Sequence, residues 1–343
     1  LAEVLHQAVM DPSRSRMKVV YVGPKPDLLR NEAQANLDSL MGVVRLEFIP
    51  AFTNGLSGTT QISRLAASES DLYMLDAEDG NILHAAFTGR SLELDTSFLC
   101  QPGTYAGYQV GALVDLLALP KTNAIGASVL GIDAIGNLLY CSPGKVPQAF
   151  RLPALPNTNW GRITAFTLDG GNLYVLDATS RSVWVFRGKD SAFVDSPYFF
   201  FGNQIPDTID TAIDLSVTGD DLYLLHADGH LSTCTFSRIA ETPTRCLDPI
   251  NYQDPFPAHQ DINLFAQAHF TQLSLTTPPN TVLLLLDSAN QKVFRFTPRS
   301  IELQSQITGY AGKGNPFEPG AVSAMTVSPN YVLYLAIGNQ VYF

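Results

Sequence analysis

Short apolar runs alternate with polar turns along this chain, and the pattern is clearest at residues 172–186. In that stretch, NLYVLDATSRSVWVF, a run of β-forming residues ends at Asp177, a polar turn follows, and a second run begins. Comparable stretches occur at 71–87, 128–140, 221–236, 281–296 and 332–343. Their first runs end at six corresponding residues, which are Asp76, Asp133, Asp177, His226, Asp287 and Ala336. Strand-rich repeats of about 40–50 residues are typical of β-propellers.

A further apolar run precedes each copy, so each repeat supplies an inner strand A, then strands B and C, and a more variable outer strand D. These runs are found at 61–68, 112–120, 162–170, 212–219, 271–279 and 321–329. Strands A and B are almost continuously apolar, as expected when neighbouring sheets cover both faces of a sheet. The sequence therefore predicts an all-β, six-bladed β-propeller with four-stranded antiparallel blades over residues 43–343.

The ring needs one more strand to close. The sixth copy ends at Phe343, directly after its strand C, so blade 6 lacks an outer strand of its own. An unpaired strand edge favours aggregation, and the segment 43–49, VVRLEFI, is a strand-like run that the repeats do not use. We expect this N-terminal strand to pair with the strand that ends at Phe343.

Residues 1–42 differ from the repeats and are predicted to form a helical stalk that leads into the propeller. Apolar residues at 1–9 have helical spacing, and the segment 12–22 fits a short helix or a strand equally well. A clearer helix follows Asp27, because Leu29, Ala33, Leu37 and Leu40 lie along one stripe before Gly42 ends it.

The formal net charge of −11 restricts the possible partners. An acidic chain lacks the basic face that nucleic acids require, and it disfavours contact between the propeller and anionic lipid headgroups. No stretch approaches the ~20 apolar residues of a membrane span. Because the chain begins at Leu1 and not at Met, we expect a piece of a longer protein whose membrane anchor lies upstream.

The four cysteines predict two disulfides. Cys234 and Cys246 lie on the two arms of a predicted hairpin, strands C and D of blade 4, and would face each other. Cys100 ends blade 1 and Cys141 lies in strand C of blade 2, so these two can meet between neighbouring blades. Paired cysteines indicate an oxidising compartment, and hence an extracytoplasmic or cell-surface location. The alternative is four buried thiols in a cytosolic protein.

Two sets of polar residues are candidates for chemistry. The acids that end strand B recur from blade to blade, and short polar side chains at such positions accept hydrogen bonds from turn backbone. The second set does not repeat, and it lies on strand A, which lines the central channel of a propeller. The predicted ligand-binding residues of this channel are Arg64, Asp115, Asp214 and Gln272, with Arg162 and Trp160 at the start of blade 3.

The channel residues allow two interpretations. One is a site for a polar ligand or a cation, and the other is a water-filled channel in which Arg64 pairs with an aspartate. A buried carboxylate without a partner is costly, so we expect Arg64 to be the main partner and the site not to bind calcium strongly. Asp207, Asp210 and Asp214 are weak candidates for Ca²⁺, because their spacing does not match an EF-hand.

Motifs for catalysis and for transition metals are missing from the sequence. It contains no HExxH, GxSxG, P-loop or dinucleotide-binding motif, so no catalytic residue is assigned and no cofactor beyond possible Ca²⁺ is predicted. His226 and His230 straddle a turn, and we interpret them as a solvated pair in preference to a zinc site.

Four segments carry a resemblance to known proteins: 45–51 (RLEFIPA), 159–177 (NWGRITAFTLDGGNLYVLD), 220–238 (DDLYLLHADGHLSTCTFSR) and 328–343 (SPNYVLYLAIGNQVYF). The repeat unit resembles the NHL-type and SMP-30-like repeats of six-bladed propellers. More closely, the chain resembles the C-terminal region of uncharacterised membrane-anchored bacterial proteins, some with a PP2C-type phosphatase domain on the cytoplasmic side. That resemblance implies an extracytoplasmic propeller on a helical stalk. SMP-30-like lactonases imply a channel metal held by Glu, Asn and Asp, whereas this channel offers only Asp115 and Asp214.

The favoured hypothesis is a non-enzymatic, extracytoplasmic binding or sensing module that recognises a peptide, a glycan or a partner protein. A metal-dependent hydrolase of the lactonase type is the alternative, and a structural component of the cell surface is the second alternative. A metal held on the propeller axis by three or four side chains would favour the hydrolase.

Overall fold

The structure, a computed structural model, describes residues 6–10, 17–21, 26–89, 91–202, 204–237, 244–310 and 322–343. Within these residues, six sheets form the blades of a propeller, and strand A of each blade contacts strand A of the next around the ring. The predicted six-bladed β-propeller is therefore confirmed. None of the helices in the described part of the chain has the length and apolar character needed to span a membrane.

Blades 1 to 3 each consist of four antiparallel strands in the order A–B–C–D. Blade 1 contains Ile62–Ala67, Asp71–Asp76, Asn81–Phe87 and Leu92–Leu94. Blade 2 contains Leu113–Ala118, Val129–Asp133, Asn137–Cys141 and Gln148–Arg151. Blade 3 contains Ala165–Asp169, Asn172–Asp177, Ser182–Phe186 and Tyr198–Phe199. A short hairpin, Gly103–Tyr105 with Tyr108–Val110, connects blades 1 and 2.

Blades 4 to 6 follow the same order but differ in strand number. Blade 4 contains Ala212–Thr218, Asp221–His226, Leu231–Thr235 and Arg245–Leu247. Blade 5 contains Phe270–Leu275, Leu283–Asp287, Lys292–Phe296, Leu303–Gly309 and, as a fifth strand, Val43–Leu46. Blade 6 contains Ala324–Val327, Leu333–Ile337 and Gln340–Tyr342. Single 3₁₀ turns occur at Ile209–Thr211, Pro257–His259 and Phe265–Gln267.

The N-terminal segment joins the last two blades, but not in the predicted register. Val43–Leu46 pairs in parallel with strand D of blade 5, so the prediction that the whole segment 43–49 belongs to blade 6 is wrong. Only the next stretch reaches blade 6, where Ile49 and Phe343 exchange two backbone hydrogen bonds of 2.9 Å and Ala51 donates one to Val341. The physical reason is a contact with blade 5. The backbone N–H of Gln306 donates to the Gly42 carbonyl at 2.7 Å, and this hydrogen bond sets the start of the N-terminal strand on blade 5.

The region before the propeller is only partly helical. Pro26–Leu40 forms the expected helix, and the ion pair between Asp38 and Arg45 holds it against the first strand of the propeller. His6–Met10 and Met17–Tyr21, however, are paired antiparallel strands, so the helix predicted at 1–9 is wrong where the structure describes it. Residues 1–5 and 11–16 lie outside the described part. β-branched valines favour a strand once a hairpin partner is available.

The core consists of hydrophobic clusters between neighbouring blades. Phe166 and Phe186 of blade 3, for example, pack against Leu130 and Ile132 of blade 2. A sheet with two apolar faces can bury both only between two other sheets, which explains the continuous apolar runs. Both predicted disulfides are confirmed: Cys234–Cys246 joins facing residues within blade 4, and Cys100–Cys141 joins blade 1 to blade 2.

Candidate functional site

The predicted channel residues occupy one structural position of strand A. In blades 1, 2, 4 and 5, the pairing of strand A with strand B shifts register near the start of strand A, and the residue after the shift is the polar one. These residues are Arg64, Asp115, Asp214 and Gln272. A bulge bends the strand and turns a side chain out of the normal alternation. The local irregularity therefore brings four residues that are distant in sequence to one level of the channel, and we call them the channel floor.

Arg64 connects two carboxylates across the channel floor. Its Nη1 atom lies 3.4 Å from Asp214 Oδ2, and its Nε atom lies 3.8 Å from Asp115 Oδ1. Its Nη2 atom also donates to the carbonyl of Ile213 at 3.3 Å. Asp115 and Asp214 are each only 6% exposed. The structure thus brings Arg64 together with both aspartates, as the pairing interpretation requires.

The same side chains bind the backbone of the next blade. Asp115 Oδ2 accepts a hydrogen bond from the N–H of Phe166 in blade 3 at 2.9 Å, and Asp214 Oδ2 accepts one from Leu273 in blade 5 at 3.1 Å. Gln272 Oε1 accepts one from Met325 in blade 6 at 2.7 Å. Each remaining aspartate oxygen accepts the N–H of its own following residue. The channel floor therefore fixes neighbouring blades to each other.

Charge on the channel floor is only partly balanced, because one guanidinium serves two carboxylates. Burial raises the pKa of Asp115 to about 7, and the attraction of Arg64 offsets only part of that effect. Burial likewise raises the pKa of Asp214 above its usual value. Burial opposes the charge of Arg64, but the two carboxylates outweigh it and hold its pKa above the ordinary value. Burial therefore favours the protonated forms of the two carboxyl groups, while Arg64 favours their charged forms.

A cavity of about 280 Å³ extends from the channel floor along the strands A toward their C-terminal ends. Its wall includes Ala118, Asp169 and Thr218. Trp160 and Arg162 do not contribute to this wall. They precede strand A of blade 3, on the other side of the floor, where Trp160 stacks on Phe186 with ring centroids 6.2 Å apart. The Arg162 side chain is exposed. A binding role for these two residues in the channel therefore has no geometric support.

The weak calcium candidates do not converge. Asp207 and Asp210 are exposed on the segment that enters blade 4, whereas Asp214 is buried in the channel floor. Among the described residues, these three acids form no cluster with metal-binding geometry.

The acids that end strand B bind the backbone of their own blade. Asp177 accepts hydrogen bonds from the N–H groups of Gly161, Arg162 and Ser180 at 2.5–3.0 Å. Asp76 and Asp133 do the same for the segment before strand A and for the B–C turn of their blades. This agrees with the turn-stabilising role expected from the repeat.

One group of residues was missed by the sequence reasoning. His226 and His230 are not a solvated pair, because His226 is fully buried and Asp248 joins them as a third member. The available signal was the departure of His226 from the aspartate of the other blades. No sequence pattern pointed to Asp248. It follows strand D of blade 4, and its place beside the two histidines depends on how strands C and D pair.

The fold and the channel define the class of this chain as a six-bladed β-propeller. No family model matches the sequence, and no curated protein does. Among solved structures, an auxiliary nutrient binding protein from Bacteroides ovatus matches with a TM-score of 0.51 and 12% identity, over 84% of this chain and 70% of that one. Streptogramin B lyase matches with a TM-score of 0.49 and 11% identity, over 86% of this chain and 96% of that one.

A third similar structure is PorZ, a bacterial surface component of the type-IX secretion system of Porphyromonas gingivalis. It matches with a TM-score of 0.40 and 10% identity over 84% of this chain. The chain spans 37% of the length of PorZ. At identities of 10–12% these likenesses concern the fold alone.

Proposed function

We propose that this chain is a non-catalytic binding module that works in an oxidising, extracytoplasmic compartment. The two disulfides support that location, since such bonds persist outside the reducing cytosol. In the proposed arrangement a membrane anchor lies upstream, and the propeller presents its channel to a peptide, a glycan or a partner protein.

The proposal rests on the contacts that the carboxylates of the channel floor make. Asp115 and Asp214 each accept one backbone hydrogen bond from their own blade and one from the following blade, and both face Arg64. A metal-dependent hydrolase needs carboxylates that can turn toward an ion and leave a coordination position for substrate. Because these oxygens hold the ring together, the floor supports a structural base for a ligand cavity better than it supports a catalytic metal centre.

The cavity sets the size of what can enter. A volume of about 280 Å³ is at the lower end of ligand pockets and accommodates one amino-acid side chain or one sugar residue. Polar residues such as Thr218 and Asp169 and apolar residues such as Ala118 line the cavity, so it suits a polar group with some apolar surface. We therefore propose recognition of a single protruding residue of a longer peptide or glycan.

A pair of matched substitutions tests this binding mode. Ligands would be sought by screening peptide and oligosaccharide arrays, and hits measured by calorimetry. Thr218→Phe adds a ring to the wall of the cavity and should abolish binding of a true channel ligand. Ala124→Phe adds the same ring at an exposed position and should leave binding unchanged. Equal affinity of the two variants would show that the ligand binds elsewhere.

Calcium calorimetry tests the hydrolase alternative. We expect no calcium binding tighter than roughly 10⁻⁵ M, the range of sensor sites. Tighter binding in the wild type that disappears in Asp214→Asn would contradict the proposal and favour a metal-dependent enzyme.

A further inference from the structure

Blade 4 differs from its neighbours at the position that ends strand B. Four other blades have an aspartate there, and blade 4 has His226, which is fully buried. The backbone N–H of His226 donates to the carbonyl of His230 at 3.0 Å, so the two residues close a tight turn side by side. Their rings stack with centroids 4.0 Å apart and planes inclined by 6°. Asp248 lies on the same side, and one ligand atom from each of the three residues falls within 4.8 Å of the others.

The Nδ1 atoms of both rings are already assigned by their partners. His226 Nδ1 lies 3.1 Å from the carbonyl oxygen of Thr208, and His230 Nδ1 lies 2.6 Å from Asp228 Oδ1. The Thr211 hydroxyl also lies 2.9 Å from His226 Nδ1, but it donates its proton to the carbonyl of Thr208 at 2.8 Å. A carbonyl and a carboxylate only accept hydrogen bonds, so in this arrangement each Nδ1 carries the proton. In a neutral ring this leaves the lone pair on Nε2. Metal-binding histidines are oriented in this way, by a carbonyl or carboxylate on the ring nitrogen that does not bind the metal.

The Nε2 atoms of both rings lie near the carboxylate of Asp248, which also needs a hydrogen-bond donor. His230 Nε2 lies 3.1 Å from Asp248 Oδ1, and His226 Nε2 lies 2.8 Å from the hydroxyl of Ser232. That hydroxyl also lies 2.7 Å from Asp248 Oδ1, but it has one proton to donate. The Thr208 hydroxyl lies 3.3 Å from His230 Nε2, yet it donates to Asp248 Oδ2 at 2.6 Å. With this assignment three acceptors share one hydroxyl proton, an arrangement that a bound cation would stabilise.

We propose that His226, His230 and Asp248 form a binding site for a divalent transition metal such as zinc, held by the two Nε2 atoms and the Asp248 carboxylate. Two imidazoles and one carboxylate suit zinc, whereas calcium and magnesium prefer oxygen ligands alone. Three protein ligands leave a coordination position for water or for a group of a partner.

One adjustment is required on binding. The lone pair of each Nε2 atom lies in the plane of its own ring. Because the two rings are almost parallel, they must tilt before both lone pairs can point at one ion. His230 can supply this movement, because its side chain is 22% exposed and lies at the end of a surface turn. His226 is fixed by Thr208, Thr211 and Ser232 and would stay in place.

Zinc calorimetry on protein dialysed against a chelator tests the site. The wild type should bind one zinc ion per chain. His230→Ala should weaken binding by more than about 100-fold, and Asp228→Asn by about 10–100-fold, the usual cost of losing an orienting partner. Asp207→Asn removes an exposed acid next to Thr208 and should bind zinc like the wild type. Thermal unfolding in chelator shows whether each variant is folded.

Long-range ¹H–¹⁵N spectra of the imidazoles show whether both rings bind the zinc ion. Zinc should shift the Nε2 resonances of both His226 and His230. The proposal is overturned if zinc does not bind, if all four proteins bind it equally, or if the two Nε2 resonances do not move on zinc addition. In those cases the cluster is a hydrogen-bond network that holds the turn and strand D of blade 4 together.

Discussion

Two rings of polar side chains run around this propeller, and they bind different parts of the backbone. The acids that end strand B, such as Asp177, accept hydrogen bonds from their own blade. Asp115, Asp214 and Gln272 of the channel floor accept hydrogen bonds from the blade that follows. The first ring recurs in blades 1, 2, 3 and 5, because in each of them the aspartate accepts an N–H of the turn between strands B and C. The second ring varies because the contacts across the channel differ from blade to blade.

The comparison shows that an aspartate which recurs in successive blades is weak evidence for a catalytic or metal-binding role. Both rings contain buried aspartates, and in both the oxygens are engaged by N–H groups. Blade 4 departs from this pattern, because a histidine replaces the aspartate and a second histidine and Asp248 gather around it. A departure from the repeat therefore marks the strongest candidate for a metal, whereas the repeat itself marks structure.

The largest effect on stability should follow removal of the Arg64 guanidinium, which pairs with both Asp115 and Asp214. Arg64→Met should lower the free energy of unfolding by about 3–5 kcal/mol at pH 8, because two buried carboxylates lose their cationic partner. The loss should be smaller at pH 5. Burial raises the pKa values of Asp115 and Asp214, so the folded state binds more protons than the unfolded state, and stability falls as pH rises from about 4 through 7.

Urea unfolding at both pH values measures this difference. Arg162→Met is the matched control, since Arg162 is exposed and lies outside the channel floor, and it should change stability by less than about 0.5 kcal/mol. Equal losses in the two variants, or a loss for Arg64→Met that does not depend on pH, would contradict the pairing of Arg64 with the two aspartates.

The disulfides extend the same comparison, since one joins two blades and the other lies within a blade. Loss of either bond should cost about 2–4 kcal/mol. The double variant Cys100→Ser with Cys141→Ser should lose about 1 kcal/mol more than Cys234→Ser with Cys246→Ser, because the sequence separations are 41 and 12 and a longer loop restricts the unfolded chain more. Denaturant unfolding of both variants decides, and the reverse order would mean that loop length does not govern their stability.

The smallest effect on stability should come from replacing one of the acids that end strand B. The amides that exchange faster in such a variant distinguish the two rings better than the size of the stability loss does. Asp177→Ala should cost about 1–3 kcal/mol, because three backbone N–H groups lose their acceptor. Hydrogen exchange should become faster at Gly161 and Arg162, within blade 3. In Asp214→Ala it should become faster at Leu273, one blade further on. Identical exchange patterns in the two variants would remove the distinction between the rings.

The sequence by itself determined the number of blades, the order of their strands and the partners of all four cysteines. The number and order of the strands and the Cys234–Cys246 bond depend on short-range pattern, because a hairpin of known length fixes which residues face each other. The Cys100–Cys141 bond followed from the order of the blades, which places the end of blade 1 beside blade 2. The alignment of the repeats also placed Arg64, Asp115, Asp214 and Gln272 at one level, since each strand A begins in the same way.

Only the tertiary structure decided what those residues bind. Asp115 reaches Phe166 because a bulge turns its side chain toward the next blade, and no local pattern records the direction of that turn. The position of Val43–Leu46 on blade 5 depends on a contact with Gln306, far along the chain. Asp248 meets His226 and His230 because strand D folds back beside them. Contacts of this kind arise from ring closure, which joins residues through space at separations that sequence periodicity does not encode.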